Sequence, residues 1–449
     1  MRRRPTLLRD LLVVTLTAAV VAAAATTTAA ARGGSGQREA TEIGVSADEI
    51  RIAVVADVEN PLAPGLFEGA VDAVQGVGRY LNAHGGLAGR KVVVDFIDSK
   101  LSADEARNAV IKACQDDFAL IGTSALFLNN VDDMVACPDK AGAATGLPDV
   151  PGVATELVQA CSPVSYPLNP PTIDCATKDD SPQRYRGNVG STKYYQRKFG
   201  KNLHGVTVNT NDLASAHNAI EIGYELAKEA GVEVDAEFNV SARSPQSAYT
   251  PIVQAIKDTN ANIVMDQLNY ASNLALRKEA KLQGVTSVKV WSCPVSCYED
   301  GFLEQGGPDV EGHFVPLTFL PFDETKSNKM LASFVKYTGK DKVTGLGAAA
   351  WAAGILLRDA IRGIVDQRGE NAITRAAFLE ALANTHDFDA GGMFGHIDIG
   401  AKRPSPCGVM MQVQDGAFVR LRPKTPGTLL CDTKNLETIE LDLLKGQSG

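Results

Sequence analysis

Two stretches of this chain, residues 51–121 and 203–292, repeat the same alternation of strand and helix signals. The first opens with a short, β-branched run at 52–56, which predicts a strand buried on both faces. Apolar residues at three- and four-residue steps follow and stop at Gly85 and Gly86, which predicts a helix and its end. This alternation predicts a parallel sheet with helices on both faces.

Further signals complete the two stretches. In the first, Ser102 with Glu105 forms a capping box, which predicts the start of a second helix. In the second, strands are predicted at 205–208, 232–240, 263–265 and 288–291, and helices at 246–258, at 271–283 and before Gly231. The expected fold class is therefore α/β, with two Rossmann-like, doubly wound lobes. Ligands of such sheets bind outside the carboxyl ends of the strands, so we expect a site in the cleft between the lobes.

A third portion, residues 325–390, has helical periodicity without strands of its own. It predicts a long Ala-rich helix over 346–364 and a shorter helix over 374–383. Strand signals return at 408–413 and 417–421 around a Gln-Asp-Gly turn, which predicts a hairpin. Helices without a sheet must pack on one that is already built, so we expect this portion to complete a lobe.

The first 31 residues have the form of a signal peptide. Four arginines precede an apolar stretch at 11–25, and small residues follow it. An uncleaved membrane anchor is the alternative, but the stretch has roughly 15 residues against the roughly 20 that span a bilayer. No cysteine stands near the end of this leader, which excludes lipid attachment there. Residues 32–47, whose first part is rich in glycine, serine and charge, are expected to form a flexible tether.

The charge pattern limits the classes of partner. The formal net charge is -9, and the charges are scattered along the chain. This argues against nucleic acid or an anionic membrane as the main partner. The six histidines are dispersed, so we expect no metal, and we expect no cofactor. We find no G-x-S-x-G, H-E-x-x-H or P-loop motif, so no enzyme is predicted. We expect a monomer that binds a small molecule.

Eight cysteines in an exported chain favour disulfides. A metal or redox site at Cys293 and Cys297 is the alternative, but their spacing differs from the C-x-x-C motif. Eight cysteines allow 105 connectivities. Pairing neighbours along the sequence gives Cys114 with Cys137, Cys161 with Cys175, Cys293 with Cys297, and Cys407 with Cys431.

The order of these parts resembles the type I periplasmic solute-binding proteins, in the leucine/isoleucine/valine-binding branch that serves ABC importers. The resemblance is carried by residues 49–52 (EIRI), by the turn at 81–90 (LNAHGGLAGR) and by the Ala-rich helix at 345–363. It implies the type I periplasmic-binding-protein fold, in which a three-segment hinge joins the lobes.

The same resemblance implies where each lobe lies. Lobe 1 would comprise 48–166 and 322–392, and lobe 2 would comprise 182–321 and 393–440. Residues 167–181 would form a crossing, either as an insertion stapled by Cys161 and Cys175 or as a surface loop, which we favour. Residues 441–449 would form a tail.

Loop ends at the expected cleft supply the candidate ligand contacts. Gly122 and the three residues after it (Thr123, Ser124 and Ala125) resemble the Ser-rich loop with which the family holds a ligand carboxylate; an ordinary helix cap is the alternative. Residues at the loop ends after other strands are further candidates, against the alternative of turns or caps. They are Asn60, Ala154, Thr155, Asp212, Asp266, Gln267, Asn269 and Tyr270.

One expected ligand contact is missing. Amino-acid binders of this family carry an acidic residue after the strand that follows the one predicted here at 263–265. That residue pairs with the ligand ammonium. Residues 292–296 of this chain (SCPVS) contain no carboxylate. Because an unpaired buried charge is costly, either Asp266 or Asp212 supplies the charge from a neighbouring loop, or the ligand is neutral or anionic.

The resemblance implies an extracytoplasmic substrate-binding protein. It would capture a small polar solute, such as an amino acid, an amide or a carboxylate, and deliver it by lobe closure to an ABC permease in the membrane. A ligand-sensing receptor that reports the same closure is the alternative, and a secreted hydrolase is a further one. Tyr166, Tyr270, Trp291 and Phe319 are predicted to be core residues, with the alternative that they line the cleft.

Overall fold

A computed structural model describes residues 37–60, 64–210, 212 and 214–442, without the side chains of 214–219. The predicted signal peptide, the first residues of the predicted tether and the tail from residue 443 lie outside this description. Within it, no helix is both long and apolar enough to cross a membrane.

Helices and strands alternate along the chain. The first part contains β1 (Glu49–Ala56), α1 (Glu68–Ala83), β2 (Lys91–Asp98), α2 (Ala103–Asp116), β3 (Leu120–Ile121), α3 (Asp132–Val135), β4 (Asp149–Val150) and α4 (Leu157–Ala160). The second contains β5 (Gln183–Asn188), α5 (Gly190–Phe199), β6 (Leu203–Thr210), α6 (Ala214–Glu229), β7 (Val232–Val240), α7 (Thr250–Asp258), β8 (Ile263–Gln267), α8 (Tyr270–Leu282), β9 (Val290–Ser292), α9 (Asp300–Gly306) and β10 (Phe314–Leu317). The third contains α10 (Lys329–Thr338), α11 (Gly345–Arg368), α12 (Arg375–Ala383), β11 (Cys407–Gln414), β12 (Ala417–Arg422), β13 (Leu430–Cys431) and β14 (Leu436–Leu441).

Two sheets form the framework of the two lobes. The first is parallel, with strand order β2-β1-β3-β4. The second has the order β12-β11-β10-β9-β8-β6-β7; it is parallel from β7 to β10, and the hairpin of β11 and β12 is added antiparallel. A separate antiparallel ribbon joins β5 to β14. The predicted α/β class with two doubly wound lobes is confirmed.

Helix α11 approaches α1 closely because small residues line its contact face. A Cβ atom added at Gly354 would lie 2.5 Å from both methyl groups of Val77, and one added at Gly347 would lie 2.7 Å from the carbonyl oxygen of Gly69. The contact therefore leaves no room for a side chain at either glycine. Both α10 and α11 pack on α1, so the helical third portion shares a core with the first sheet.

The loops that follow β3 and β4 press against the same helix. A Cβ atom at Gly122 would lie 3.0 Å from the Cβ of Ala350, and one at Gly152 would lie 3.2 Å from the Ala350 nitrogen. Gly122 also has φ of +72°, a conformation that a side chain disfavours. The two loops are thus held between their strands and α11.

Four disulfides join the same sequence neighbours that were expected. Cys161–Cys175 closes the start of the crossing segment, in which Ile173 is buried and paired with Tyr185. The crossing is therefore a loop tied to the protein at several points. The other pairs are Cys114–Cys137, Cys293–Cys297 and Cys407–Cys431.

The prediction of a flexible tether is wrong for its last residues, which are part of the folded core. Val45 is only 3% exposed and belongs to the main core cluster. Glu42 is buried, and its carboxylate accepts hydrogen bonds from the backbone nitrogens of Lys140 and Arg375. The glycine- and serine-rich composition ends at residue 40, and the residues that follow bury an apolar side chain and a hydrogen-bonded carboxylate.

The close contact of α11 with α1 gives a stability test. Replacing Gly354 by Leu should lower the free energy of unfolding by about 3 kcal/mol, because the new side chain overlaps Val77 in a packed core. Gly363 is the matched control, since it lies in the same helix and a Cβ there meets no atom within 4 Å. Gly363→Leu should be neutral or stabilising by up to about 1 kcal/mol. Urea unfolding measures both; equal losses would contradict the packing described.

Candidate ligand-binding site

A cavity of about 480 Å³ lies at the carboxyl ends of β8 and β9. Met265 and Gln267 line it from β8, and Ser292 lines it from β9. The first turn of α11, with Gly345 and Leu346, forms the facing wall. Its volume is within the roughly 300–1,000 Å³ of pockets that enclose small organic ligands. The cavity thus lies where an open α/β sheet is expected to bind its ligand, with α11 of the first lobe on its other side.

The cavity extends from this point beneath α5 and α6. Tyr194 and Tyr195 line it from α5, and Leu226 and Ala227 line it from α6. Its remaining lining is mostly apolar. The apolar side chains from the second sheet and the adjoining segments are Pro294, Val295, Leu317, Phe319, Phe394, Val409 and Met410.

Neutral hydroxyl groups provide the polar contacts of the inner wall. The Tyr195 hydroxyl lies 2.9 Å from the Ser292 hydroxyl, and burial raises the pKa of Tyr195. Burial also raises the pKa of Tyr224 well above its usual value, and its hydroxyl donates to the carbonyl of Val208 at 3.2 Å. These groups stay uncharged at physiological pH, so this wall offers hydrogen bonds without charge.

Asp266 is the one acidic residue among the described residues that line the cavity. It is 2% exposed, and its carboxylate accepts from the Asn273 side-chain nitrogen at 2.6 Å and from the Leu268 nitrogen at 3.4 Å. Burial raises its pKa to about 7, against the opposing effect of the Asn273 hydrogen bond. Because Asn273 belongs to α8, this carboxylate is held by the helix behind the sheet.

The predicted carboxylate-binding loop is buried in the first lobe. Thr123, Ser124 and Ala125 are fully buried, and none of them lines the cavity. The Thr123 hydroxyl donates to Asp149 at 2.7 Å, and the Ser124 hydroxyl donates to the Gly122 carbonyl at 3.0 Å. Both hydroxyls are thus engaged inside the protein, and ligand contact at this loop stays a prediction.

The other first-lobe candidates lie near this loop and outside the cavity lining. Asn60 is 6% exposed, Ala154 is half-buried, and the Thr155 hydroxyl donates to the Leu126 carbonyl at 3.2 Å. Their part in ligand binding also stays a prediction.

The second-lobe candidates divide into lining residues and structural groups. Gln267 and Asp266 line the cavity, while Asn269 caps α8 by accepting from the Ser272 nitrogen at 2.8 Å. Tyr270 is half-buried and packs on the main core cluster. Asp212 accepts hydrogen bonds from Ser241 and Ala242. Partial burial acts to raise the pKa of Asp212, but these hydrogen bonds outweigh it and hold the pKa below the usual value.

Sequence reasoning missed most of the cavity wall. It predicted neither β5 nor α5, so it could not place Tyr194 and Tyr195 there. Two adjacent tyrosines were the available signal, but the segment that packs against them could not be identified from the sequence. Burial of Tyr166, Trp291 and Phe319 was predicted correctly, although Phe319 also reaches the cavity.

Comparison with known proteins identifies the family. The model of the periplasmic binding protein family matches residues 49–417. The chain therefore belongs to the periplasmic binding protein family, whose members bind solutes and are not enzymes. A search of curated proteins found no match.

Solved structures show the same fold at low identity. A fatty acid ABC transporter substrate-binding protein from Thermomonospora curvata has 16% identity and a TM-score of 0.65, covering 84% of this chain and 92% of its own. A leucine-binding protein from Thermotoga maritima has 16% identity and a TM-score of 0.64, with coverages of 86% and 99%. A branched-chain amino acid binding protein from Streptococcus pneumoniae, in complex with isoleucine, has 15% identity and a TM-score of 0.61, with coverages of 83% and 100%.

The raised pKa of Asp266 gives a pH-dependence test. Between about pH 4 and pH 7 the folded protein keeps a proton on Asp266 that the unfolded chain has lost, so rising pH destabilises the wild type through this residue. The stability of Asp266→Asn relative to wild type should therefore rise by up to about 1.4 kcal/mol per pH unit across this window and then level off.

Asp212→Asn is the matched control, because the pKa of Asp212 is lowered. The wild type should be more stable than this variant at pH 7, and the difference should shrink as the pH falls below about 4. Urea unfolding at several pH values measures both differences. A constant difference between Asp266→Asn and wild type from pH 4 to pH 8 would contradict the assignment.

Proposed function

We propose that this protein is an extracytoplasmic substrate-binding protein that captures a small solute between its lobes and delivers it to an ABC permease. The observation that carries this proposal is the cavity at the carboxyl ends of β8 and β9, which the first turn of α11 closes from the first lobe. A ligand there contacts both lobes at once. Membership of the periplasmic binding protein family supports the same role.

Lobe closure is the proposed mechanism. A Cβ atom at Gly345 would lie only 2.2 Å from a methyl group of Val295, so the α11 wall and the segment after β9 are in direct contact. Access through this side requires the two walls to separate. A ligand that bridges them favours the closed form by its differential affinity for the two states, and the permease would recognise that form.

The chemistry of the lining favours a neutral or anionic solute over an α-amino acid. The segment after β9 offers Ser292 and Pro294 where the family's amino-acid binders place an acid. The oxygens of Asp266 are already hydrogen-bonded to Asn273 and Leu268. A ligand ammonium would therefore be desolvated without a carboxylate dedicated to it, which is unfavourable. An amide or a carboxylate has no ammonium group and so avoids this cost.

Structural relatives do not decide between ligand classes. One is named for fatty acids and another was solved with isoleucine, and both are about equally similar to this chain. The lining of the cavity must therefore carry the choice, and its mostly apolar character favours a solute with an apolar body.

Two solutes with the same alkyl group test this choice. Leucine and 4-methylpentanoate differ only in the ammonium group, so their affinities compare the cost of that charge directly. We expect 4-methylpentanoate to bind at least tenfold more tightly in isothermal titration calorimetry and to raise the melting temperature more at equal concentration. Tighter binding of leucine would contradict the proposed ligand class, and would direct attention to Asp266 as an ammonium partner.

A further inference from the structure

The cavity does not end beneath α5. A second depression of about 610 Å³ adjoins it on the outer side of the second lobe. The two spaces adjoin each other and share five lining residues. These are Tyr194, Arg197, Arg422, Leu430 and Asn435.

Basic side chains surround this outer depression, which we call the basic opening. It is lined by Arg197 and Lys198 from α5, and by Arg422 and Lys424 from the end of β12 and the residues after it. All four residues are exposed. The Lys198 ammonium lies over the rings of Tyr194, Phe199 and Phe314, whereas no ion pair or side-chain hydrogen bond is found for Arg197, Arg422 or Lys424 within the described part of the chain. Asp432 is the acidic residue among the described lining residues. A concentration of unpaired cations is unusual on a chain whose net charge is -9.

Apolar side chains line the path from this opening to the interior. Leu430, at the rim, is 44% exposed. Leu226, Met265 and Met410 then line the inner space. The basic side chains of the opening and the apolar side chains of the cavity thus line two adjoining spaces.

We propose that the cavity and the basic opening together form a binding channel for an amphipathic carboxylate. The alkyl or aryl-alkyl body of this ligand occupies the cavity, and its carboxylate pairs with Arg197 and Arg422 at the basic opening. This inference rests on the proposed function and extends it to a ligand class and a side entrance. Arginine suits the role because its planar guanidinium binds a carboxylate with two parallel hydrogen bonds.

Both parts of the channel are needed to select this ligand. A neutral lipid would gain nothing from the four cations, and a polyanion such as a nucleotide would gain nothing from the apolar interior. An α-amino acid that placed its carboxylate at the opening would bring its ammonium beside the same arginines, where like charges repel. An amphipathic carboxylate satisfies both ends with one molecule, and the positive potential would steer it to the opening.

A series of unbranched alkanoates, from butanoate to decanoate and kept below their micelle concentrations, tests the apolar part of the channel. Calorimetric affinity should rise about threefold to fourfold with each added methylene until the cavity is filled, and then level off. An affinity that is flat with chain length would overturn the proposal. In that case short carboxylates would still bind, and the proposed function would stand.

Removing the two arginines tests the charged end. The double variant Arg197→Gln/Arg422→Gln should weaken octanoate binding by about tenfold or more and leave octanol binding unchanged, because only the carboxylate uses the guanidinium groups. Lys257→Gln is the matched control, since Lys257 is an exposed cation on α7, which packs on the opposite face of the second sheet. If the double variant and Lys257→Gln weakened octanoate binding equally and only slightly, the assignment of the opening would be overturned.

Gly223 offers a way to block the channel without disturbing its walls. It lines the cavity from α6, and a Cβ atom there would meet nothing within 4 Å. Gly223→Phe should abolish the dependence of affinity on chain length, while Gly223→Ala should keep it; unchanged octanoate binding in the Phe variant would overturn the proposal. If the wild type binds no solute of any class, the proposed function fails as well.

Discussion

The close packing of α11 against α1 is the constraint on which the rest of this structure depends. Gly347 and Gly354 remove the side chains that would hold the two helices apart. The loops after β3 and β4 can then press against Ala350 in the same helix. Because α11 is fixed along its length in this way, its first turn is held at a defined place in the first lobe, where it faces the second lobe. That turn forms one wall of the cavity.

The same packing contributes to the burial of the expected carboxylate-binding loop. Gly122 faces Ala350, and the hydroxyls of Thr123 and Ser124 bond to Asp149 and to the Gly122 carbonyl. The polar groups of this loop serve the first lobe's own structure. The larger share of the cavity lining comes from the second lobe and consists of neutral hydroxyls, apolar side chains and the residues of the basic opening.

The sequence predicted those features that depend on local signals. The bounds of β7 were correct, and the predicted helix start at Ser102 was confirmed because the Ser102 side chain accepts from the Glu105 nitrogen. Each disulfide joins neighbours along the chain, so local order sufficed for the pairing. Hydrophobic periodicity similarly predicted α11 and its burial.

Features that depend on distant partners could not be predicted in this way. Strand β5 pairs with β14, about 250 residues later, and neither was predicted from its own sequence. The hydrogen bond from Thr123 to Asp149 was not predicted either, because Asp149 is distant along the chain and becomes a neighbour of Thr123 only in the folded lobe. The cavity is formed by faces of α5, α6 and α11 together, so no single segment carries a signal for it.

The most direct test of this account is the position of a bound ligand. A crystal structure with 6-bromohexanoate, measured at the bromine absorption edge, would locate the end of the alkyl chain by its anomalous signal. We predict a bromine peak beside Met265 and Leu226, with the carboxylate towards Arg197 and Arg422. A peak in the first lobe, with the carboxylate at Thr123 and Ser124, would contradict the account. It would support ligand binding at the loop that the family resemblance implies.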